Sequence, residues 1–380
     1  MRVLGFGTYE PRKHPRIAIV LDGLRAHGDD VVEVNAPLRL STEERVAMLR
    51  RPWLLHRLVR RLLRCWGRLV IGAVHARRRQ PPDVVIVGFL GQFDVLLARL
   101  LFPRTTIVLD MLVFGGDTAR DRDARGKIVL ALLDLLDRIA VRAATIVMVD
   151  TDEQLRLLPR SGTNKGVVVP VGAPDTWFRA GATAQRPRDR LCVVFFGLYT
   201  PLQGAPVIGS ALGQLADRRD IAVTMIGTGQ DYAATRAAAA ANDKVSWVDW
   251  VDADDLATTV AAHHVCLGIF GTTAKAMRVV PNKVYQGAAA GCAIVTSDTS
   301  AQRAMLGDAA EFVPAGDAAA LAGTLRALAD DPARVRSLGS AAHAAALARF
   351  GAAAIVEPLR RSLSDVTAAR ILSPTAADRP

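Results

Sequence analysis

Short apolar runs alternate with amphipathic segments along the first half of the chain. Runs typical of buried strands lie at 3–6, 31–34, 84–87, 106–109, 145–149 and 167–169. Segments with the helical spacing of apolar residues separate them, at 15–27, 92–101, 126–143 and 151–158. Strands that alternate with helices in this way predict an α/β domain built on a parallel sheet.

The same alternation returns in the second half. Strand-like runs lie at 191–196, 221–226, 245–248, 265–269, 293–296 and 311–313, and helical patterns lie at 317–329, 332–348 and 352–363. The segment 173–190 is polar and rich in Pro and Gly, which predicts a linker. We therefore predict two Rossmann-like, doubly wound domains, at 1–172 and 191–350. Ligands of such sheets bind at the carboxyl ends of the strands, so we expect a site in the cleft between the domains.

Length and composition agree with two cytoplasmic domains. The chain has 380 residues, 51% of them hydrophobic, which is enough for two cores. The four cysteines lie far apart and have no metal-binding spacing, which fits a reducing cytoplasm. The N-terminus enters a strand at once and lacks a signal-peptide pattern, and no apolar run reaches the roughly 18 residues of a membrane span.

The formal charge is +11, and much of the excess lies in one stretch: eleven arginines and no acidic residue occur between 45 and 79. Apolar residues in this stretch follow helical spacing, and Pro52 predicts a break into two helices. Two interpretations stay open. The stretch lies on an anionic membrane surface, or its apolar side packs on the sheet and leaves a solvated basic face. Nucleic-acid binding is not favoured, because no aromatic platform or recognition module accompanies the arginines.

The segment 268–298 carries the strongest indication of function. It predicts a buried strand, a loop, a helix that begins near Pro281, and a second buried strand. Lys275 and Arg278 in the loop and Lys283 in the first helical turn place cations at a helix N-terminus, where they oppose the helix dipole. A ligand with phosphates would offset that cost, and we predict that these three residues bind a diphosphate. A solvated basic loop is the alternative.

Polar side chains in the same segment complete the predicted binding site. They are two hydroxyls and two amides, all able to bond a sugar or a ribose: Thr272, Thr273, Asn282 and Gln286.

Several motifs, spread over the whole chain, resemble GT-B-fold glycosyltransferases of the large retaining group called family four. In the second half they are FFGLYTPLQG at 195–204, IGTG at 226–229, WVDADDL at 250–256 and VPNKVYQGAAAGCAIVT at 280–296. In the first half the segments 109–122 and 149–151 resemble a subgroup with aspartates at these places.

The resemblance implies a two-domain fold in which the C-terminal helix, 352–380, crosses back to the N-terminal domain. It implies a nucleotide diphosphate sugar as donor, transfer with retention, no metal and no other cofactor. The acceptor would be a lipid-linked or cell-envelope glycan or a small molecule. Residues at positions that contact phosphate, sugar or base in the family are Gly7, Gly197, Gln203, Gly204, Gly227 and Trp250.

Two departures from the family pattern bear on activity. The family has two glutamates separated by seven residues, and here Arg278 and Gln286 stand at that spacing. Many relatives also have a basic pair in the loop where this chain has the neutral Gln203. A catalytically weak partner protein and a nucleotide-sugar 2-epimerase therefore remain alternatives to an active transferase.

On the acceptor side, Asp117 is the leading candidate, followed by His14 and Asp110. Asp117 follows two glycines in a predicted flexible loop and could position or deprotonate an acceptor hydroxyl. A capping role before the helix 126–143 is the alternative. Asp110 ends a strand at the edge where ligands bind. No metal-binding pair is predicted, since Asp252 lies at a helix start and reads as an N-cap.

Overall fold

The computed structural model describes residues 1–10, 15–38, 55–121 and 126–372. The described part of the N-terminal domain contains six strands: β1 Arg2–Gly7, β2 Asp30–Asn35, β3 Val84–Val87, β4 Thr106–Asp110, β5 Ile146–Val149 and β6 Gly166–Val168. Its helices are α1 Arg16–Ala26, α2 Leu55–Arg79, α3 Asp94–Leu101, α4 Gly115–Asp121, α5 Lys127–Ala143 and α6 Asp152–Leu155.

The strands of the N-terminal domain pair in parallel in the order β2-β1-β3-β4-β5-β6. Both faces of this sheet are covered, which is why its strands read as continuous apolar runs. Val85 and Leu109 face one layer, formed by α2, α3 and α5. Val84 and Val108, one position earlier in their strands, face α1 and the C-terminal end of the chain.

The C-terminal domain repeats this plan. Its strands are β7 Leu191–Phe196, β8 Ile221–Ile226, β9 Val245–Val248, β10 Val265–Leu267, β11 Ala293–Ser297 and β12 Ala310–Val313, in the parallel order β12-β11-β10-β7-β8-β9. Its helices are α7 Asp175–Ala182, α8 Ala205–Gly213, α9 Tyr232–Ala238, α10 Ala253–Ala261, α11 Asn282–Ala289, α12 Ser300–Leu306, α13 Ala318–Asp330 and α14 Pro332–Arg349. The predicted pair of doubly wound domains is confirmed.

The last two helices, α15 Ala352–Ile355 and α16 Glu357–Leu372, return to the N-terminal domain. Ile355 and Leu359 are buried in one cluster with Ile17 of α1. Gly23 lets α15 approach closely, because a Cβ there would overlap the carbonyl oxygen of Ala352. The predicted crossing of the C-terminal helix is therefore present over its described residues.

The polar composition of segment 173–190 predicted a linker, but the segment is not a simple linker. It contains α7, whose Trp177 is buried and stacks on Phe196 of β7 with ring centroids 5.5 Å apart. Pro174 occupies the N-cap of this helix, where a missing N–H costs nothing. Pro174, which the sequence analysis took as a helix breaker, thus begins a helix that belongs to the C-terminal core.

The arginine-rich stretch forms one long helix over its described residues, and the break predicted at Pro52 lies outside them. Cys65, Leu69 and Ala73 of α2 are buried against the sheet, so the apolar side packs on the domain. None of the described helices is long and apolar enough to cross a bilayer.

Candidate functional site

Strand order places one crevice at the carboxyl edge of each sheet. In the C-terminal domain the connections run in opposite directions from β7, which pairs with β8 on one side and β10 on the other. In the N-terminal domain the same reversal lies at β1, between β2 and β3. Ligands of doubly wound sheets bind outside such switch points. The loops that follow β1, β7 and β10 therefore form the candidate site.

Three loops of the C-terminal domain meet through glycines. Gly197 after β7 and Gly227 after β8 have φ angles of +133° and +114°, and a Cβ on Gly227 would overlap the carbonyl oxygen of Gly197. Gly204 has a φ angle of +64°, and a Cβ there would overlap the backbone of Gly271 in the loop after β10. Only glycine permits these approaches, which bring the backbones of the loops into contact at the crevice floor.

Lys283, in the first turn of α11, is buried among these loops. Its side chain is 5% exposed, and its Nζ donates a hydrogen bond to Gln203 Oε1 at 2.6 Å. The same Nζ lies 3.5 Å from the centroid of the Phe195 ring. Among the described residues no carboxylate pairs with it, and burial lowers its pKa well below the ordinary value. A phosphate at this point would supply the missing negative charge.

Arg278 and Lys275 instead reach across to the N-terminal domain. Arg278 Nη2 lies 2.5 Å from Asp117 Oδ1, and Lys275 Nζ donates to Thr118 Oγ1 at 2.9 Å. The hydroxyl of Thr151 donates to the carbonyl oxygen of Arg278 at 2.7 Å. The three cations predicted to surround one diphosphate thus divide into two groups. Two meet α4 at the domain interface, and Lys283 lies against the loop after β7.

Asp117 lies in the first turn of α4, not in the flexible loop that its glycines predicted, and it does not cap the next helix. The start of α4 is held by Asp137 of α5, which accepts hydrogen bonds from Gly115 N at 2.8 Å and Gly116 N at 3.5 Å. Burial raises the pKa of Asp137 to about 6. The sequence analysis did not identify Asp137, because the two residues that it bonds lie 22 and 21 positions earlier in the chain.

Asp110 is a buried ion-pair partner and not the exposed acceptor ligand that its place at a strand end predicted. Its Oδ1 lies 2.9 Å from Nε of Arg16, and both side chains are almost fully buried. Asp150, at the end of the next strand, is also buried, and burial raises its pKa to about 6. The sequence analysis also did not identify Arg16 as the partner of Asp110. A cation in the first turn of the helix after β1 was the feature of the sequence that could have indicated it.

Hydrogen bonds to Asp94, the first residue of α3, fix the loop after β1. Asp94 Oδ2 accepts from the Thr8 backbone N at 2.7 Å and the Thr8 hydroxyl at 2.8 Å, and its Oδ1 accepts from Trp66 Nε1 at 2.9 Å. Gly7, with a φ angle of +147°, lies directly beside this carboxylate. His14, predicted to bind the acceptor, lies outside the described residues.

The other residues predicted to bind the substrate differ in their exposure and in their hydrogen bonds. Thr273 accepts a hydrogen bond from Ala276 N at 3.2 Å and so caps a short turn, whereas Thr272 is exposed. Asn282 and Gln286 are partly exposed and, four residues apart, share one face of α11. Trp250 is 75% exposed and donates to Asp252 Oδ1 at 3.3 Å. Asp252 occupies the predicted N-cap of α10, but its carboxylate makes no capping bond.

Comparison with known proteins agrees with the fold. Residues 210–361 match the model of the family described as glycosyl transferase-like. No curated protein matches the chain by sequence.

Among solved structures, the chain resembles sucrose-phosphate synthase from Thermosynechococcus elongatus, at 14% identity and a TM-score of 0.69, covering 97% of this chain and 100% of that one. It also resembles a trehalose-phosphate synthase (UDP-forming) from Burkholderia vietnamiensis, at 14% identity and a TM-score of 0.66, over 97% and 99% of the two chains. Anabaena HepE in complex with UDP-glucose matches at 12% identity and a TM-score of 0.65, over 97% and 100%.

These similarities span both domains, whereas the family match lies almost wholly in the C-terminal half and ends within α16. At such low identity the structural matches establish the fold. The predicted two-domain architecture is thereby confirmed for the whole chain, and the similarity in sequence to the glycosyl transferase-like family lies in residues 210–361.

Proposed function

We propose that this chain is a glycosyltransferase that moves a hexose-like sugar from a nucleotide diphosphate sugar to an acceptor bound in the cleft. The glycosyl transferase-like match of residues 210–361 supports the reaction class. The structural relatives support the donor class, since they include HepE in complexes with UDP and with UDP-glucose and a UDP-forming synthase.

The buried Lys283 is the observation that carries this proposal. A lysine without a carboxylate partner in a desolvated crevice is costly, and a phosphate would stabilise its charged form. The unpaired N–H groups at the start of α11 lie in the same turn. Fixed cations and helix N–H groups that face a departing diphosphate stabilise the charge that develops as the glycosidic bond breaks. Transfer then needs no strong base beside the anomeric carbon.

On the acceptor side we assign Asp117 the role of positioning a hydroxyl. Its carboxylate pairs with Arg278, so it lies at the boundary where donor and acceptor would meet. Retention of anomeric configuration and independence from metal are parts of this proposal that stem from the family resemblance. The proton NMR signal of the product's anomeric centre tests the first, and activity in the presence of EDTA tests the second.

We infer that the reaction takes place in the cytoplasm, at the inner surface of the membrane. The arginine-rich outward side of α2 supports this location, because cations near anionic headgroups favour binding. A lipid-linked or envelope glycan would then be the acceptor; a small molecule is the alternative.

The decisive experiment replaces the cation and measures binding of nucleoside diphosphates by calorimetry. Lys283→Met keeps the volume and removes the charge, and we expect at least a tenfold loss of affinity with an unchanged or higher melting temperature. Lys244→Met is the matched control, because Lys244 directly precedes β9 and so lies at the opposite edge of the sheet. Equal affinity in both variants would remove the donor site from this crevice.

Two other functions remain distinguishable by products. Release of nucleoside diphosphate in the presence of acceptor extract supports transfer. A free epimerised nucleotide sugar supports the 2-epimerase, and donor binding without turnover supports the partner protein suggested by Arg278 and Gln286.

A further inference from the structure

Three helices, α2, α3 and α5, form a single layer on one face of the N-terminal sheet. Leu69, Val95 and Val141, one from each helix, lie in the same buried cluster. Their opposite sides therefore form one continuous surface, which we call the outer helical face. Its exposed apolar side chains are Val59, Leu63, Ile71 and Val74 from α2, Phe93 and Leu100 at α3, and Ile128, Leu132, Leu135 and Ile139 from α5.

The apolar residues of α5 form a stripe directed away from the core. Ile128, Leu132, Leu135 and Ile139 are 78%, 60%, 49% and 43% exposed, and their spacing of four, three and four residues puts them on one side of the helix. Single exposed apolar residues are ordinary on soluble proteins, whereas a contiguous row of large ones marks a surface that binds something.

The charges of this face have one sign. Exposed arginines accompany the apolar residues along α2: Arg57, Arg60, Arg61, Arg64 and Arg68. Helix α2 contains no acidic residue over its described length. The carboxylate of α3, Asp94, is buried, and those of α5 are directed to α4, where Asp134 pairs with Arg120 and Asp137 holds the helix start.

A surface that combines arginines with large apolar side chains matches the headgroup and acyl regions of an anionic bilayer. The arginines meet phosphate-bearing headgroups, and the leucines and isoleucines enter the boundary of the acyl chains. On the described part of these helices a protein partner of mixed charge would find one partly exposed carboxylate, that of Asp134, and Arg120 already pairs with it.

The outer helical face is also joined to the cleft. Trp66 of α2 donates to Asp94, which in turn accepts both hydrogen bonds from Thr8 in the loop after β1. At the other end, Asp137 of α5 holds the helix that carries Asp117. The two parts of the predicted acceptor side, the loop after β1 and helix α4, are therefore both held by helices of this face.

We propose that the outer helical face is a docking surface for anionic lipid bilayers, with α5 and the N-terminal end of α3 inserting apolar side chains and α2 supplying the cations. Docking in this way puts the acceptor side of the cleft beside the membrane surface. The binding itself does not depend on the glycosyl transfer proposed above.

Flotation of the purified full chain with vesicles tests this. One set of vesicles contains equal parts phosphatidylcholine and phosphatidylglycerol, and the other contains phosphatidylcholine alone. We expect the protein to float with the anionic vesicles and at least tenfold less with the neutral ones, because each arginine near an anionic surface strengthens partitioning about fivefold. The triple variant Arg60→Gln, Arg64→Gln, Arg68→Gln should then lose binding on the order of 100-fold.

A second triple variant tests the apolar part. Ile128→Ser, Leu132→Ser and Leu135→Ser together should reduce partitioning at least tenfold. The controls lie on the C-terminal domain: Leu347→Ser, whose leucine is 60% exposed, and Arg188→Gln, Arg219→Gln and Arg336→Gln combined. Both controls should float like the wild type. Calorimetry with UDP keeps the readouts separate, since affinity should be unchanged in the α5 variant.

Wild-type protein that stays unbound to anionic vesicles would overturn the proposal, as would equal loss in the control variants. So would light scattering that shows a dimer in solution which the α5 variant dissociates, because a second copy would then occupy the face.

Discussion

The carboxylate of Asp117 lies 2.5 Å from the guanidinium of Arg278, although 161 positions separate the two residues along the chain. The pair joins α4 of the N-terminal domain to the loop before α11. Arg278 stands where the resemblance to family four leads one to expect a glutamate, and Asp117 brings a carboxylate next to it from the other domain. The carboxylate of Asp117 thus pairs with a cation that could also bind a phosphate or an acidic sugar.

Removal of this carboxylate should strengthen binding of nucleoside diphosphates. In Asp117→Asn the guanidinium of Arg278 no longer pairs with a competing anion, and we expect affinity to rise about twofold to fivefold, since partly exposed ion pairs are worth roughly 1 kcal/mol or less. Titration calorimetry measures this. If Asp117 positions the acceptor, turnover should fall in the same variant. An affinity that decreases would show that the ion pair holds the donor site in its binding form.

Asp150 should make the protein less stable as pH rises through weakly acidic values. Burial raises its pKa in the folded chain from 3.8 to about 6, so between these values the folded state retains a proton that the unfolded state has lost. The free energy of unfolding therefore falls as pH rises from about 4 to 6, by on the order of 3 kcal/mol for a shift of about two pKa units.

Chemical denaturation of Asp150→Asn at pH 4, 5, 6 and 7 checks this, because asparagine does not titrate. The variant should lack that part of the decrease, while the contribution of Asp137, whose pKa is also about 6, remains in both proteins. Asp243→Asn, in which a 95% exposed carboxylate is replaced, should keep the wild-type profile. Parallel profiles for the wild type and Asp150→Asn would contradict the prediction.

The contact between Gly227 and Gly197 should tolerate no side chain. Gly227→Ala would force a Cβ into the carbonyl oxygen of Gly197 at a φ angle of +114°, and we expect a loss of roughly 3 kcal/mol or more in the free energy of unfolding. Gly323→Ala is the matched control, because a Cβ within α13 would meet no atom within 4 Å. That variant should gain about 0.5–1 kcal/mol, as alanine favours helix. Urea denaturation separates the two.

Helix α7 should behave as part of the C-terminal core. Trp177→Ala removes a buried ring that stacks on Phe196, and we expect a loss of about 3–5 kcal/mol. Trp250→Ala removes a ring that is 75% exposed and should change stability by no more than about 0.5 kcal/mol. Thermal unfolding followed by circular dichroism makes the comparison. A linker role for this segment would give both variants the same small effect.

Local pattern was sufficient for most of the architecture. Buried parallel strands appear as apolar runs and helices as amphipathic spacing, so the order of elements and the two domains could be predicted. Local pattern was less reliable for segment 173–190, where Pro174 and Gly181 concealed the helix that Trp177 anchors to Phe196. For the site, a helix start with cations nearby made Lys283 a candidate, because the conflict between a lysine and the helix dipole is visible within one turn.

The sequence by itself therefore determined the alternation of strands and helices, the basic helix, and the cations before and within α11. Only the tertiary structure decided how these charges are used. Lys283 is buried against Gln203, Arg278 pairs with Asp117, and Asp110 is neutralised by Arg16. The reason is physical: secondary structure follows from interactions between near neighbours in the chain, whereas the partner of a charge depends on which distant segments the packed sheets bring to the same edge.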